Sequence, residues 1–125
     1  MKDCLFCKMI NGEVPCQKLY EDEYCFAILD LHPAAIGHTL VIPKKHYTDL
    51  MELDNDTLIH INDVAKRIIP ILMDKFNCTS CSTRVNYGDS QVIKHYHLHI
   101  LPNYFITKPT LTQSETYEIL KDVKF

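Results

Sequence analysis

From Lys18 to Leu29 the chain reads KLYEDEYCFAIL, two largely apolar runs around an acidic cluster at Glu21, Asp22 and Glu23. That pattern predicts a β-hairpin with a tight acidic turn. Upstream, NGEVP (residues 11–15) separates a short apolar start over Leu5–Ile10 from this hairpin. Downstream, DLHPAAIGHTLVIPKKH holds a loop carrying Pro33 and Gly37, then an apolar strand over Thr39–Ile42 stopped by Pro43. From Asp54 the period changes. Leu58, Ile61, Ala65, Ile68 and Leu72 recur three and four residues apart, one face of a long helix that Asn55 or Asp56 can cap. Pro70 falls inside this helix and is expected to kink it or split its last turns. His60, Asp63, Lys66 and Arg67 read as its solvated face, with no function assigned to His60.

Beyond the helix, CSTRVNY and HYHLHIL read as two further strands joined by the polar loop GDSQVIK. TQSETYEILKDVKF reads as a short terminal helix, capped by Thr112 or Ser114, that buries Tyr117, Leu120 and Val123. The order is hairpin, strand, long helix, hairpin, terminal helix. It predicts an α+β fold, an antiparallel sheet of about five strands with one long helix and a short C-terminal helix. No repeat, low-complexity run or linker interrupts the chain, so residues 1–125 are read as a single domain.

A composition of 46% hydrophobic and 23% charged residues over 125 positions suits one folded core. The formal net charge of −3 gives no basic stripe, so neither nucleic acid nor an anionic membrane is an expected partner. Any phosphate is held locally. No apolar run approaches the ~20 residues of a membrane span, and MKDCLFCKMI lacks the form of a secretory signal, so a cytoplasmic location is expected. In that setting six cysteines read as metal ligands or core residues rather than disulfides.

The densest chemistry lies at His95, His97 and His99. In a strand these project from one face about 6.5–7 Å apart, while Tyr96, Leu98 and Ile100 anchor the other face to the core. One reading is a catalytic zinc held by two or three imidazoles. Another uses Cys4 and Cys7, at C-x-x-C spacing, with His46 and one histidine of the strand as a closed structural zinc site. The remaining histidines are then free for nucleophilic attack on phosphorus by a neutral imidazole, with neighbouring groups stabilising charge. Cys78 and Cys81 offer a second C-x-x-C pair. It could complete a four-cysteine site, but reads more simply as reduced thiols.

HYHLHIL resembles the His-x-His-x-His-x-x signature of the histidine triad superfamily. CLFCKMINGEVP, YEDE, LDLHPAAIGHTLVIPKKH and VNYG fall in that family's order and spacing over nearly the whole chain. The branch resembled most is the zinc-containing bacterial relatives of the histidine triad nucleotide-binding proteins. The resemblance implies a homodimer that binds a purine nucleotide and cleaves at its α-phosphate through a covalent nucleotidyl-histidine. It implies His97 as nucleophile, His99 and His38 beside the phosphate, and His95 joining Cys4, Cys7 and His46 on a structural zinc ion. It further implies Asp30 on the ribose, Phe6, Met9, Ile28 and Leu31 around the purine, and Asn86 on the phosphate side. Gln91, with Ser90, is implied at the leaving group. Met9 and Ile28 read equally well as core. His32 reads as a loop residue at least as well as a nucleotide contact.

The chain departs from the family in two places. NYGDSQ, from Asn86 to Gln91, is shorter than usual and has Ser90 where Gly is common. Asn103 follows Pro102, without the basic continuation of the dinucleoside polyphosphate hydrolases. His99 favours a hydrolase over uridylyltransferase relatives, which have Gln there. The resemblance therefore points to a hydrolase of purine nucleoside phosphoramidates or related adenylated substrates. The alternatives are a dinucleoside polyphosphate hydrolase and a non-catalytic nucleotide-binding module.

Overall fold

The acidic turn closes because Asp22 hydrogen-bonds it from within. Its Oδ1 accepts from the backbone N–H groups of Tyr24 and Cys25 at 2.7 and 2.9 Å. The turn joins β1 (Lys18–Glu21) to β2 (Cys25–Leu29) in the computed structural model, which describes residues 3–125. β3 (Thr39–Pro43), the helix α2 (Asn55–Lys75), β4 (Cys81–Arg84), β5 (Leu98–Pro102) and the terminal helix α3 (Gln113–Leu120) come after it. The five strands form one sheet in the order β1-β2-β3-β5-β4, with every neighbouring pair antiparallel. This is the α+β architecture that the hydrophobic pattern predicts. None of the described helices is long and apolar enough to cross a membrane.

The period-2 alternation of β2 and β3 gives the sheet two apolar faces. Cys25, Ala27, Leu29 and Val41 pack with Leu98 and Ile100 against Ile61, Val64, Ala65, Ile68 and Leu72 of α2, and Leu120 of α3 closes that core. Phe26, Ile28, Leu40 and Ile42 face the other way and are covered by Phe6. Phe6 comes from an element that the pattern does not announce, a six-residue helix α1 (Leu5–Ile10). Cys4 caps it, its Sγ accepting from the Cys7 N–H at 3.4 Å.

Several local expectations change. Asp54, not Asn55 or Asp56, caps α2, accepting from the Thr57 N–H at 2.7 Å. Pro70 does not split α2, which runs on to Lys75, because Pro70 and Lys66 one turn earlier both lie on the exposed side. There water can take the carbonyl that the proline leaves free. His60 is not merely solvated, since its Nε2 lies 2.7 Å from Asp22 Oδ2 and ties α2 to the hairpin turn. Thr112 caps α3 in a reciprocal capping box with Glu115.

The largest difference is at HYHLHIL. The ladder starts only at Leu98, because the Tyr96 N–H donates to the Tyr47 carbonyl at 2.7 Å and so pairs with the loop after β3 rather than with a strand. The residues just before β3 need glycine. Gly37 has φ +68°, and a Cβ there would stand 3.1 Å from Phe76 Cε2.

Candidate functional site

Two clusters grow from the face that α1 covers. In the first, the α1 cap brings Cys4 and Cys7 to one end of a short helix, His46 lies just beyond β3, and His95 arrives just before β5. Cys4 Sγ lies 3.2 Å and Cys7 Sγ 3.5 Å from His95 Nδ1, with Cys7 Sγ 3.3 Å and His95 Nδ1 3.1 Å from His46 Nδ1. A tetrahedral zinc ion with ordinary bond lengths gives ligand–ligand edges of roughly 3.3–3.8 Å. The four donor atoms therefore already surround a point that such an ion fits. The ring of His95 is also fixed for the task. Its Nε2–H donates to the Pro43 carbonyl at 2.8 Å, which leaves the Nδ1 lone pair facing the thiols. Burial holds the His95 pKa down to about 4, against the opposing effect of the Pro43 carbonyl, so the imidazole is neutral as a ligand must be. Cys78 and Cys81 are not gathered with these four. Cys81 opens β4 at the far edge of the sheet, opposite Pro102.

The second cluster is a chain of imidazoles whose tautomers are set by one obligate donor. The Ala34 backbone N–H points at His38 Nδ1, 3.0 Å away, so that nitrogen is the acceptor. His38 Nε2 then carries the proton and donates to His99 Nδ1 at 2.9 Å, with Asp30 Oδ2 at 3.5 Å beside it. His99 in turn carries its proton on Nε2, which is buried and has no partner among the described residues. His97 is fixed separately. Its Nδ1–H donates to the His95 carbonyl at 2.8 Å, leaving an unprotonated Nε2, while Phe6 packs edge-on against the ring at 5.2 Å.

Side by side, with ring centroids 4.8 Å apart, stand one imidazole bearing a free lone pair and one bearing a free N–H. All three rings are buried. Burial lowers the pKa of each, and His97 and His38 add to the effect on His99, which falls to about 4. They are neutral at pH 7, the state in which one can attack and the next can donate.

A cavity of about 950 Å³ opens over these rings. Phe6, Met9, Ile28, Asp30 and Leu31 line it together with His38, Asn86, Ser90, His97 and His99. Leu31 is two-thirds exposed and forms a rim rather than a wall. Asp30 is held by the His32 N–H on Oδ1, at 2.9 Å, and His32 itself lies on the cavity wall.

Gln91 does not line the cavity. Its buried amide donates to the carbonyls of Thr48 and Ile93 at 2.7 and 3.0 Å, so it faces away from any leaving group. The shortened loop is the reason. A single 3-10 turn at Gly88–Ser90 leads straight into Gln91, which turns inward to pin the approach to His95. Sequence reasoning missed two cavity groups, the Ala34 amide and Arg84. A backbone donor leaves no mark in a sequence. Arg84, in the run CSTRVNY, sits two residues before Asn86 and so on the same face of the chain, a signal that could have been read.

The family model described as HIT domain matches residues 11–106. An uncharacterized HIT-like protein of Methanocaldococcus jannaschii is 36% identical, the alignment covering 97% of this chain and 98% of that one. The protein named adenosine 5′-monophosphoramidase HNT1 of Saccharomyces cerevisiae is 35% identical over 79% of this chain and 61% of its own length. Among solved structures, a zinc-bound histidine triad family protein from Mycobacterium smegmatis superposes with a TM-score of 0.85 at 30% identity, covering 96% of this chain and 91% of that one. The chain belongs to the HIT-domain family.

Proposed function

We propose that the protein hydrolyses a purine nucleoside phosphoramidate or a related adenylated substrate, through a nucleotidyl intermediate on His97. The observation that carries this is the complementary tautomer pair, an unprotonated His97 Nε2 beside a protonated, unpartnered His99 Nε2 at the floor of the cavity. The yeast relative's name supports the substrate class.

In the first step His97 Nε2 attacks phosphorus and the P–N bond breaks, the departing amine taking its proton from solvent while the His99 Nε2–H hydrogen-bonds a phosphoryl oxygen as charge gathers there. The Nδ1–H bond to the His95 carbonyl shares the positive charge that then develops on His97. In the second step water attacks the same phosphorus and gives its proton to solvent, the His97 Nε2–P bond breaks, and the nucleoside monophosphate leaves with His97 restored. His38 keeps His99 in the correct tautomer throughout, and the Ala34 amide does the same for His38. Asp30 Oδ2 is free to accept from a ribose hydroxyl, Phe6, Met9 and Ile28 offer an apolar slot to the base, and Asn86 can donate to a phosphate oxygen. Gln91 acts as a positioning residue, holding the segment that carries His95 and His97.

Cys4, Cys7, His46 and His95 hold a structural zinc ion in this reading, supported by the donor geometry and the zinc-bound neighbour. These four residues would tie α1 to the segments after β3 and before β5 through the ion, whose role would be structural.

Replacing the nucleophile tests the assignment. His97→Ala is expected to lower turnover of adenosine phosphoramidate by at least about 10³-fold, in line with loss of a covalent nucleophile, while calorimetry still detects AMP binding. Retained turnover sinks the nucleophile, and lost binding with intact fold sinks the assigned pocket.

A further inference from the structure

Ile28, Leu40, His99 and Arg84 are paired in register on four adjacent strands, Ile28 with Leu40, Leu40 with His99, and His99 with Arg84. Directly opposed residues share a face, so the four side chains form one row across the floor of the cavity, which all four line. The row passes from an apolar end at Ile28, through the imidazole that stands by His97, to a guanidinium at the edge strand. With strands about 4.8 Å apart, Arg84 lies one strand beyond His99, on the side away from the base slot.

That guanidinium is conspicuously underused. Its Nη1 makes one long hydrogen bond, 3.4 Å, to Tyr104 Oη, and it stacks over the Tyr104 ring at 5.3 Å. Its Nε is buried with no partner, and no carboxylate pairs with it among the described residues. An arginine carries five N–H donors, and leaving a buried one unmade is costly unless a ligand completes it. Asn86, two residues on and on the same wall, adds an amide beside it. Tyr104 holds the planar group in place, so little side-chain freedom remains to be lost on binding.

We propose that Arg84 is a specificity-determining residue that binds an anionic group, a carboxylate or a β-phosphate, on the leaving portion of the substrate. The proposal rests on the reading of the cavity as a nucleotide site with its chemistry at His97. With the base at Ile28 and the α-phosphorus at His97, the next group along the row reaches Arg84, whose fork matches a two-oxygen anion. Substrates with charged leaving groups are thereby preferred over those that release a neutral amine.

Two matched comparisons test this. The first is turnover of adenosine phosphoramidate N-linked to alanine, with the carboxylate free or converted to the carboxamide. Arg84→Met is expected to lower kcat/KM for the free acid by about 10- to 30-fold, the scale of a lost charge-assisted contact, and to change the carboxamide by less than about two-fold. Arg84→Lys retains part of the preference for the acid, and Arg84→Gln serves as a second neutral variant should Met disturb β4.

The second is calorimetric binding of AMP and ADP in a His97→Ala background, where no chemistry interferes. There Arg84→Met is expected to weaken ADP about ten-fold more than AMP. Equal loss on both members of each pair overturns the proposal and assigns Arg84 to the transferred phosphoryl group. No loss on either overturns it too, leaving Arg84 a packing partner of Tyr104. If the unsubstituted protein turns over neither alanine conjugate, the hydrolase reading fails while the AMP and ADP comparison still decides Arg84.

Discussion

Asp22 shows how much one side chain can organise. Its carboxylate accepts from Tyr20 Oη at 2.6 Å, from two backbone N–H groups of the turn, and from His60 Nε2 on α2. Burial alone would raise its pKa, but the hydrogen bonds from Tyr20, Cys25, Tyr24 and His60 outweigh it and hold the carboxyl well below the usual range. A depressed folded-state value stabilises the fold above the unfolded pKa near 4, and the contribution is lost as pH falls through the folded value. Asp22→Asn is therefore expected to cost about 1–3 kcal/mol at pH 7. In urea unfolding, the gap between wild type and variant should be complete at neutral pH and shrink below about pH 4. A gap that is constant with pH contradicts the assignment. At this scale the histidines of the site are legible from spacing and resemblance, since their faces are dictated by alternation. Gln91 is not. Its motif position predicts a cavity residue, whereas a loop too short to carry it outward turns it onto Thr48 and Ile93.

At the scale of elements, the amphipathic period of α2 and the alternation of β1–β3 are read directly from the chain, because long or tightly flanked apolar patterns are strong signals. Six residues cannot show a helical period, so α1 is invisible in the pattern, and its cap is a cysteine rather than one of the usual oxygen-bearing residues. The start of β5 is misread for the opposite reason. Alternation continues through His95–His97, but an extended loop alternates as a strand does, and only the partner of the Tyr96 N–H tells them apart. Both misread segments meet at the Cys4, Cys7, His46 and His95 cluster. Metal analysis is expected to find one zinc per chain, with Cys4→Ser losing the metal and on the order of several kcal/mol of stability, since binding at a closed site is coupled to folding. If stripping the metal leaves the melting curve intact but abolishes turnover, the ion is catalytic instead.

Across the whole molecule the sheet separates two tasks. One face is closed by α2 and α3 around Ile61, Val64, Ile68, Leu72 and Leu120 and provides the rigid support. The other carries the Cys4, Cys7, His46 and His95 donor cluster, and beside it the imidazole chain and the row that ends at Arg84 line one cavity. His97 is thus held between a buried core behind it and the Cys4, Cys7, His46 and His95 cluster beside it, an arrangement suited to the proposed attack on phosphorus. A binding module would need the slot and the ribose carboxylate, but not a lone pair and a free N–H on adjacent buried rings. The most direct test of that difference is rapid quench of the protein with labelled adenosine phosphoramidate. An acid-labile nucleotidyl-protein is predicted to form before product, to decay at the turnover rate, and to be missing in His97→Ala. Product formed in a single phase with no labelled protein, or label persisting in His97→Ala, contradicts covalent catalysis at this histidine.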